Sequence, residues 1–206
     1  MFVLPDAVLF PGTVLPLRVF ERGYCNMVAD ALKGDRALAV VLRRAGVDAG
    51  GQPALYDIAG AGRIIHADEL PGGSFNILVH GLCRVRLQEE LQCDRGYRRF
   101  RAAMVPQPTE DEIGKATSQL ARLESCVLSL RSSVAETDAQ LVEVLRATSD
   151  PLELADILAA TLVPEPERQQ YYLSANNLSE RLGNLIDALA DVMVRIGEPP
   201  KTAMMN

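Results

Sequence analysis

The feature that most constrains the fold is a change of sequence pattern at Pro106-Gln107-Pro108, about halfway along the 206 residues. Before it, short apolar runs are separated by Gly, Pro and Asp, which is typical of strands and turns. After it, apolar residues recur every three or four positions, as on the buried face of a helix. The short, stiff linker favours packing of the two halves against each other. The sequence therefore predicts an α+β protein with a β-rich subdomain at 1–106 and a helical-bundle subdomain at 107–206.

The first half carries the signals of seven short strands and one helix. The strands are predicted at residues 2–4, 14–19, 37–43, 58–70, 75–80, 85–91 and 97–105. The break at Pro71-Gly72-Gly73-Ser74 predicts a hairpin. The helix is expected to end at Gly34 in a left-handed conformation. Its apolar face comprises Tyr24, Met27, Val28, Ala31 and Leu32. Because closure hides strand edges, these elements predict a partly closed barrel.

The second half begins with the signals of two amphipathic helices. Thr109 and Glu112 form a capping-box pattern ahead of a long helix. Its apolar positions are Ile113, Leu120, Leu123, Val127 and Leu130. Thr137 and Gln140 have the spacing that opens a second helix. The apolar positions of this second helix are Leu141, Val144 and Leu145.

Three further helices complete the predicted bundle. Asp150-Pro151-x-Glu153 combines an N-cap, a proline at the first helical position and a carboxylate that returns to the cap. Pro164-Glu165-Pro166 opens a short helix. Asn177 caps the last helix and Glu180 provides the answering carboxylate. The apolar stripe of this last helix comprises Leu178, Leu182, Leu185, Ile186, Leu189, Val192, Met193 and Ile196.

The composition argues against several classes of protein. No apolar run approaches the roughly 20 residues of a membrane-spanning helix, and no basic segment opens the chain, so we expect a cytoplasmic protein. The absence of Trp and the net charge of −6 argue against a nucleic-acid partner. The cysteines show no C-x-x-C pair and are expected to be reduced, mostly buried thiols, with no metal and no cofactor. These cysteines are Cys25, Cys83, Cys93 and Cys126.

Several stretches resemble one known family. Residues 4–21 read LPDAVLFPGTVLPLRVFE and are similar to the opening of the N-terminal domain of Lon proteases. Residues 56–65 (YDIAGAGRII) and 73–85 (GSFNILVHGLCRV) resemble the paired barrel strands of that family, with Gly60 or Gly62 matching its glycine. Residues 148–156 (TSDPLELAD) and 178–182 (LSERL) resemble its helical subdomain. The resemblance implies a PUA-like pseudobarrel followed by a helical bundle, and a role in recognising unfolded or tagged protein substrates.

Motifs of the full protease are missing from the sequence. A Lon protease would also carry a G-x-x-x-x-G-K-[ST] loop for ATP phosphates and a Ser–Lys dyad for peptide hydrolysis. None of the 15 glycines stands in that loop pattern. We therefore expect a non-catalytic module that binds unfolded or apolar protein segments, and for which a protease is a candidate partner, as a monomer or weak dimer. The alternative is a small-molecule or RNA-binding PUA-like module.

Two short segments are the candidate binding residues. Leu15-Pro16-Leu17 would present apolar side chains on a rigid barrel rim, which loses little entropy when it captures an extended peptide. The equally weighted alternative is that these residues face the barrel core. Tyr171 and Tyr172 are adjacent on a short helix, so both cannot face one core.

Two other groups of residues suggest different functions. The segment Arg95-Gly96-Tyr97-Arg98-Arg99-Phe100-Arg101 invites an RNA-binding interpretation, although a solvated barrel strand has the same pattern. The histidines His66 and His80 are predicted on strands, with no acidic or nucleophilic partner expected nearby in the sequence. A hidden hydrolase would require such a partner.

Overall fold

The computed structural model describes residues 1–134, 148, 150–175 and 177–197, and its architecture is α+β, as the sequence predicts. The strands within these residues are β1 (Phe2–Leu4), β2 (Val14–Val19), β3 (Ala37–Val47), β4 (Pro53–Leu55), β5 (Ile58–Leu70), β6 (Ser74–Leu91) and β7 (Arg99–Met104). The helices are α1 (Arg22–Lys33), α2 (Glu110–Lys115), α3 (Thr117–Val134), α4 (Pro151–Leu162), α5 (Pro166–Ser174) and α6 (Leu178–Gly197). Across the described residues, no helix combines the length and the apolar character needed to cross a membrane.

The strands form one mixed sheet in the order β1-β3-β5-β6-β2, with β4 paired to β3 and β7 paired to β6. The pairing of β1 with β3 is parallel and the other pairings are antiparallel. Inward-facing side chains of β1, β2, β3, β5 and β6 meet α1 in one apolar cluster. The sheet therefore curls around a core of its own, as expected for a partly closed barrel.

The sequence prediction was wrong about the boundaries of several strands. The strands predicted at 75–80 and 85–91 are a single strand, β6, which continues through Gly81. Glycine here marks the close approach of another segment rather than a turn. The three-residue strand β4 was missed, and the strand predicted at 97–105 is shortened to Arg99–Met104.

The helical half confirms the capping box of Thr109 and Glu112, which open α2. The predicted long helix is nevertheless two helices, because the chain leaves the helical conformation at Ala116. Ala116 is fully buried, and its N–H bonds both the Glu112 and the Ile113 carbonyl oxygens. The helix predicted from Thr137 and Gln140, with Leu141, Val144 and Leu145, lies outside the described residues.

The end of α1 and the start of α4 differ from the predicted capping. Gly34 follows α1 with φ of −115°, and Arg36, with φ of 59°, takes the left-handed conformation instead. The Asp150 side chain accepts a hydrogen bond from Leu152 N–H, which confirms the N-cap. The Glu153 carboxylate, however, accepts a hydrogen bond from Thr148 Oγ1 at 2.6 Å rather than returning to the cap amide. Asn177 Oδ1 accepts from Glu180 N–H and confirms the cap of α6.

A second apolar cluster joins the two halves of the chain. Val8, Phe10, Leu42 and Ile58 come from the β-rich half and pack with buried side chains of the described helices. From α6 these include Leu178, Leu182, Leu185, Ile186 and Leu189. The halves thus share a core, and the division into subdomains at 1–106 and 107–206 stays a prediction.

The segment that contains Leu9 and Phe10 lies directly against three glycines of β5 and β6. A Cβ atom at Gly60 would lie 1.9 Å from the Leu9 carbonyl oxygen, and one at Gly81 would lie 2.0 Å from the Phe10 carbonyl oxygen. A Cβ atom at Gly62 would lie 2.3 Å from the His80 carbonyl oxygen. Because these neighbours are backbone atoms, no side chain can move aside to make room.

We expect Gly60→Ala to lower the free energy of unfolding by at least about 2 kcal/mol, since the methyl group would force Leu9 away from the sheet. Gly183→Ala is the matched control. Among the described residues, and apart from the adjacent residues and surrounding backbone of α6, no atom lies within 4 Å of a Cβ atom at Gly183, so alanine should stabilise by about 0.5–1 kcal/mol. Urea unfolding followed by circular dichroism measures both effects. Equal stability of the two variants would contradict the close approach.

Candidate functional site

The segment Leu15-Pro16-Leu17 lies in β2, where successive side chains alternate between the two surfaces of the sheet. Leu15 and Leu17 are half-buried and pack against the barrel core. Pro16 is exposed on the opposite surface. The three candidate residues are therefore divided between the barrel interior and the solvent.

The outward side chains of β2, β6 and β5 form three rows across the sheet. Strand register aligns Val14 with His80 and Arg63, Pro16 with Leu78 and His66, and Arg18 with Asn76 and Asp68. Two residues have no partner across the strands because the pairing register shifts there. Ile65 is the extra residue of β5, beside the middle row, and Leu82 is the extra residue of β6, beyond the first row. We call this surface the outer face. Its apolar members are Val14, Pro16, Ile65, Leu78 and Leu82.

The outer face combines exposed apolar side chains with a shallow recess. Val14, Ile65 and Leu82 are each about half exposed, which is unusual for clustered aliphatic residues of a sheet. A cavity of about 410 Å³ lies around Pro16, Arg18, His66, Asp68, Asn76 and Leu78. This volume is within the range of small-ligand sites and large enough for one or two side chains of a bound segment.

His66 has an acidic partner, which corrects the sequence-based expectation. Its Nε2 lies 3.0 Å from Asp68 Oδ2, with both side chains more than half exposed. Alternation along β5 places residues 66 and 68 on one surface, which is the signal that sequence reasoning missed. Across the described residues, no hydrogen bond joins His66 or His80 to a serine or cysteine.

Tyr171 and Tyr172 of α5 point in different directions, as the sequence predicts. Tyr171 is 61% exposed and Tyr172 only 2%. The Tyr172 ring contacts Phe10 at a centroid distance of 5.7 Å, and its hydroxyl donates to Asp156 Oδ1 at 2.8 Å. Only Tyr171 is therefore accessible to a partner.

The hydroxyl of Tyr172 belongs to a buried polar cluster between the sheet and the helices. Arg84 of β6 donates to both carboxylate oxygens of Asp156 in α4, at 3.0 and 2.5 Å. Gln170 of α5 donates to the Ile58 carbonyl oxygen of β5 at 2.9 Å. Burial and the neighbouring Asp156 charge raise the pKa of Tyr172, which keeps the hydroxyl protonated as a donor. We call Arg84, Asp156 and Tyr172 the junction cluster.

Most arginines of the segment 95–101 form ion pairs with carboxylates. Arg95 pairs with Asp30 at 2.7 Å and Arg101 with Glu89 at 3.2 Å. Arg98 bonds the carboxylates of Glu90 and Asp48 and lies over the Phe100 ring. Three of its four guanidinium groups thus already have an anionic partner, which disfavours phosphate binding.

A second, larger cavity lies beside α1 and the segment that follows β6. Its volume is about 890 Å³, and its walls include Val3, Tyr24, Tyr97, Arg43 and Cys93. Both tyrosine hydroxyls are already bonded, that of Tyr24 to the Val3 backbone and that of Tyr97 to Asp30.

The four cysteines are free thiols and all of them are half-buried, so the expectation of mostly buried thiols was wrong. Cys126, Cys25 and Cys83 each pack at the margin of an apolar core, whereas Cys93 lines the cavity of about 890 Å³. Among the described residues, no group of three or more His, Cys, Asp or Glu side chains has an arrangement that would hold a metal ion.

Comparison with known proteins identifies a family match over most of the chain. Residues 1–191 match the family model of the ATP-dependent protease La (LON) substrate-binding domain. Lon protease 2 of Myxococcus xanthus is 27% identical over 187 residues, and Lon protease of Haemophilus influenzae is 29% identical over 203 residues. The matches cover 90% and 94% of this chain, but the chain spans only 22% and 24% of the two relatives.

Two solved structures share the fold. The N-terminal domain of Lon protease from the Mycobacterium avium complex matches with a TM-score of 0.67 and 17% identity, covering 92% of this chain and 96% of that one. The Lon N-terminal domain protein from Xanthomonas campestris matches with a TM-score of 0.60 and 24% identity, covering 90% of this chain and 95% of that one.

We expect Asp156→Asn to lower the free energy of unfolding by about 3–5 kcal/mol, because it leaves the buried guanidinium of Arg84 without a counter-charge. The matched control is Asp111→Asn, which breaks the exposed pair with Lys115 in α2 and should lower it by no more than about 1 kcal/mol. The change in urea midpoint measures both effects. Similar small changes in the two variants would show that the junction cluster contributes little to stability.

Proposed function

Because this chain belongs to the family of Lon substrate-binding domains, we propose that it recognises unfolded or apolar segments of other proteins and is itself non-catalytic. The family match supports recognition of protein substrates. The chain corresponds to less than a quarter of the length of the curated Lon relatives, so the activity of the whole protease is not assigned to it. We also propose that it works in the cytoplasm, as a monomer or weak dimer, and that one partner is a protease.

The observation that carries this proposal is the outer face. Exposed apolar side chains that cluster on a rigid sheet are a recurrent feature of protein-binding surfaces. The strands below them hold the side chains in fixed positions, so little conformational entropy is lost on binding. Since the rows are spaced like the side chains of a strand, an extended segment could place alternate apolar residues between them.

The chemistry of the outer face also favours one kind of occupant. Pro16 has no N–H group, so an added strand would lose one ladder hydrogen bond along β2. We infer that contacts through side chains contribute more than backbone pairing. Arg18 and Arg63 lie at opposite margins, and within the described part of the chain neither has a carboxylate at ion-pair distance. Apolar segments flanked by acidic residues should therefore bind best.

The alternative function, small-molecule binding, is supported by the cavity of about 890 Å³. Its volume lies in the range of ligand sites and two tyrosine rings form part of its walls. A fluorophore on Cys93, with the other three cysteines replaced, would report a ligand there. RNA binding has less support, because carboxylates already occupy the guanidinium groups of Arg95, Arg98 and Arg101.

We expect the double variant Val14→Glu/Ile65→Glu to bind an unfolded protein at least about tenfold more weakly than the parent, because two carboxylates would have to be desolvated at the apolar centre of the outer face. Fluorescence anisotropy with labelled, reduced and carboxymethylated α-lactalbumin measures the Kd. An RNA oligonucleotide of mixed sequence serves as the second ligand.

Val47→Glu/Met104→Glu is the matched control, since it places the same charges at two exposed apolar positions of β3 and β7 away from the outer face. It should bind like the parent. Unchanged affinity in Val14→Glu/Ile65→Glu would exclude the outer face. Binding of RNA but of no protein would overturn the proposed function.

A further inference from the structure

The side chain of Arg181 is buried beside the junction cluster without a partner for its charge. Arg181 lies in the first turn of α6 and is only 8% exposed. Its Nε atom has no hydrogen-bond partner, and no carboxylate of the described residues lies within ion-pair distance. Buried guanidinium groups are rare in proteins unless they are paired.

The carboxylates near Arg181 are already engaged. Both oxygens of Asp156 accept hydrogen bonds from Arg84, and one of them also accepts from Tyr172. The Glu112 carboxylate accepts from the backbone N–H and the hydroxyl of Thr109 in the capping box. Arg84 and Asp156 neutralise each other, and Glu112 lies beyond ion-pair distance of Arg181, so the Arg181 guanidinium has no direct counter-charge within the described residues.

An unpaired buried charge is strongly destabilising, by several kcal/mol even after the protein relaxes. Burial, followed by repulsion from Arg84, lowers the pKa of Arg181. Within the part of the chain that the structure describes, the buried Nε atom of Arg84 also has no hydrogen-bond partner, so unused donors are present on both guanidinium groups. A bridging water would satisfy such donors but would not neutralise the charge, whereas an anion would do both.

We propose that the Arg181 guanidinium, beside Arg84, is a binding site for one small monovalent anion, either a halide or a small carboxylate. The Arg181 guanidinium lacks a direct counter-charge and can take a single negative charge, and the low exposure of Arg84 and Arg181, 7% and 8%, favours a small ion over phosphate. The first turn of α6 adds the positive end of a helix dipole. The anion links β6 to α6 and so holds the sheet against the helices. This site is independent of the proposed function of the outer face.

The first test measures thermal stability at constant ionic strength while chloride or formate replaces gluconate, which is too bulky to enter. Above the Kd, Tm should rise by roughly 3–5 °C for each tenfold increase in chloride or formate. Equal Tm values in all three anions would overturn the proposal. Arg181→Gln should abolish the dependence, whereas Arg122→Gln, which removes an exposed charge from α3, should retain it.

The stability of Arg181→Gln relative to the parent protein in gluconate is a second test. With no anion able to enter, the parent protein retains an unpaired buried charge, so Arg181→Gln should be at least as stable as the parent. An anion dependence that persists in Arg181→Gln would place the ion elsewhere. If Arg181→Gln does not fold, bromide-containing crystals of the parent protein decide: an anomalous peak beside the Arg181 guanidinium supports the site, and water at that position contradicts it.

Discussion

The contact of Leu9 and Phe10 with three glycines is the constraint on which the other parts of the structure depend. The backbone of these two residues lies against Gly60 and Gly81, and the Leu9 side chain lies beside Gly62, where β5 and β6 carry no side chains. Leu9 then packs in the barrel core, and Phe10 packs in the core shared with the helices. Adjacent residues thus connect the two cores, and the sheet cannot separate from this segment without exposing both.

Phe10 is connected through the contacts of the junction cluster to β6, a strand that also carries part of the outer face. Phe10 contacts the Tyr172 ring, and Tyr172 bonds the carboxylate that pairs with Arg84. Since Arg84 belongs to β6, the same strand carries the glycine contact, the ion pair to the helices and Leu78 of the outer face. The rigidity that we attribute to the outer face therefore has a physical basis in contacts on the opposite surface of β6.

Much of the fold could be predicted from local sequence signals. Turn residues bounded most strands, the capping box of α2 and the N-cap of α6 were confirmed, and the resemblance to Lon N-terminal domains was confirmed by the family match. The continuity of β6 could not be predicted, because Gly81 has the same sequence signature in a turn and at a close backbone contact. The break at the buried Ala116 could not be predicted either, because the apolar positions keep a helical spacing across it.

The candidate site was predicted only in part. Alternation along β2 already implies that Leu15 and Leu17 share a surface opposite to Pro16, and the same rule would have identified Val14 as a neighbour. The pairing of Arg84 with Asp156 joins residues that are 72 positions apart, so no local pattern indicates it. The position of Arg84 within the mainly apolar segment 78–85 (LVHGLCRV) was the one sequence signal of a buried polar contact.

The central claim is that an unfolded protein segment binds the outer face. It is tested most directly by methyl NMR of the unaltered protein during titration with an unfolded client. The account predicts shifts that begin at the methyl groups of Val14, Ile65, Leu78 and Leu82 and that fade with distance from them. Shifts confined to Val3 and Leu91, which line the cavity of about 890 Å³, would contradict it.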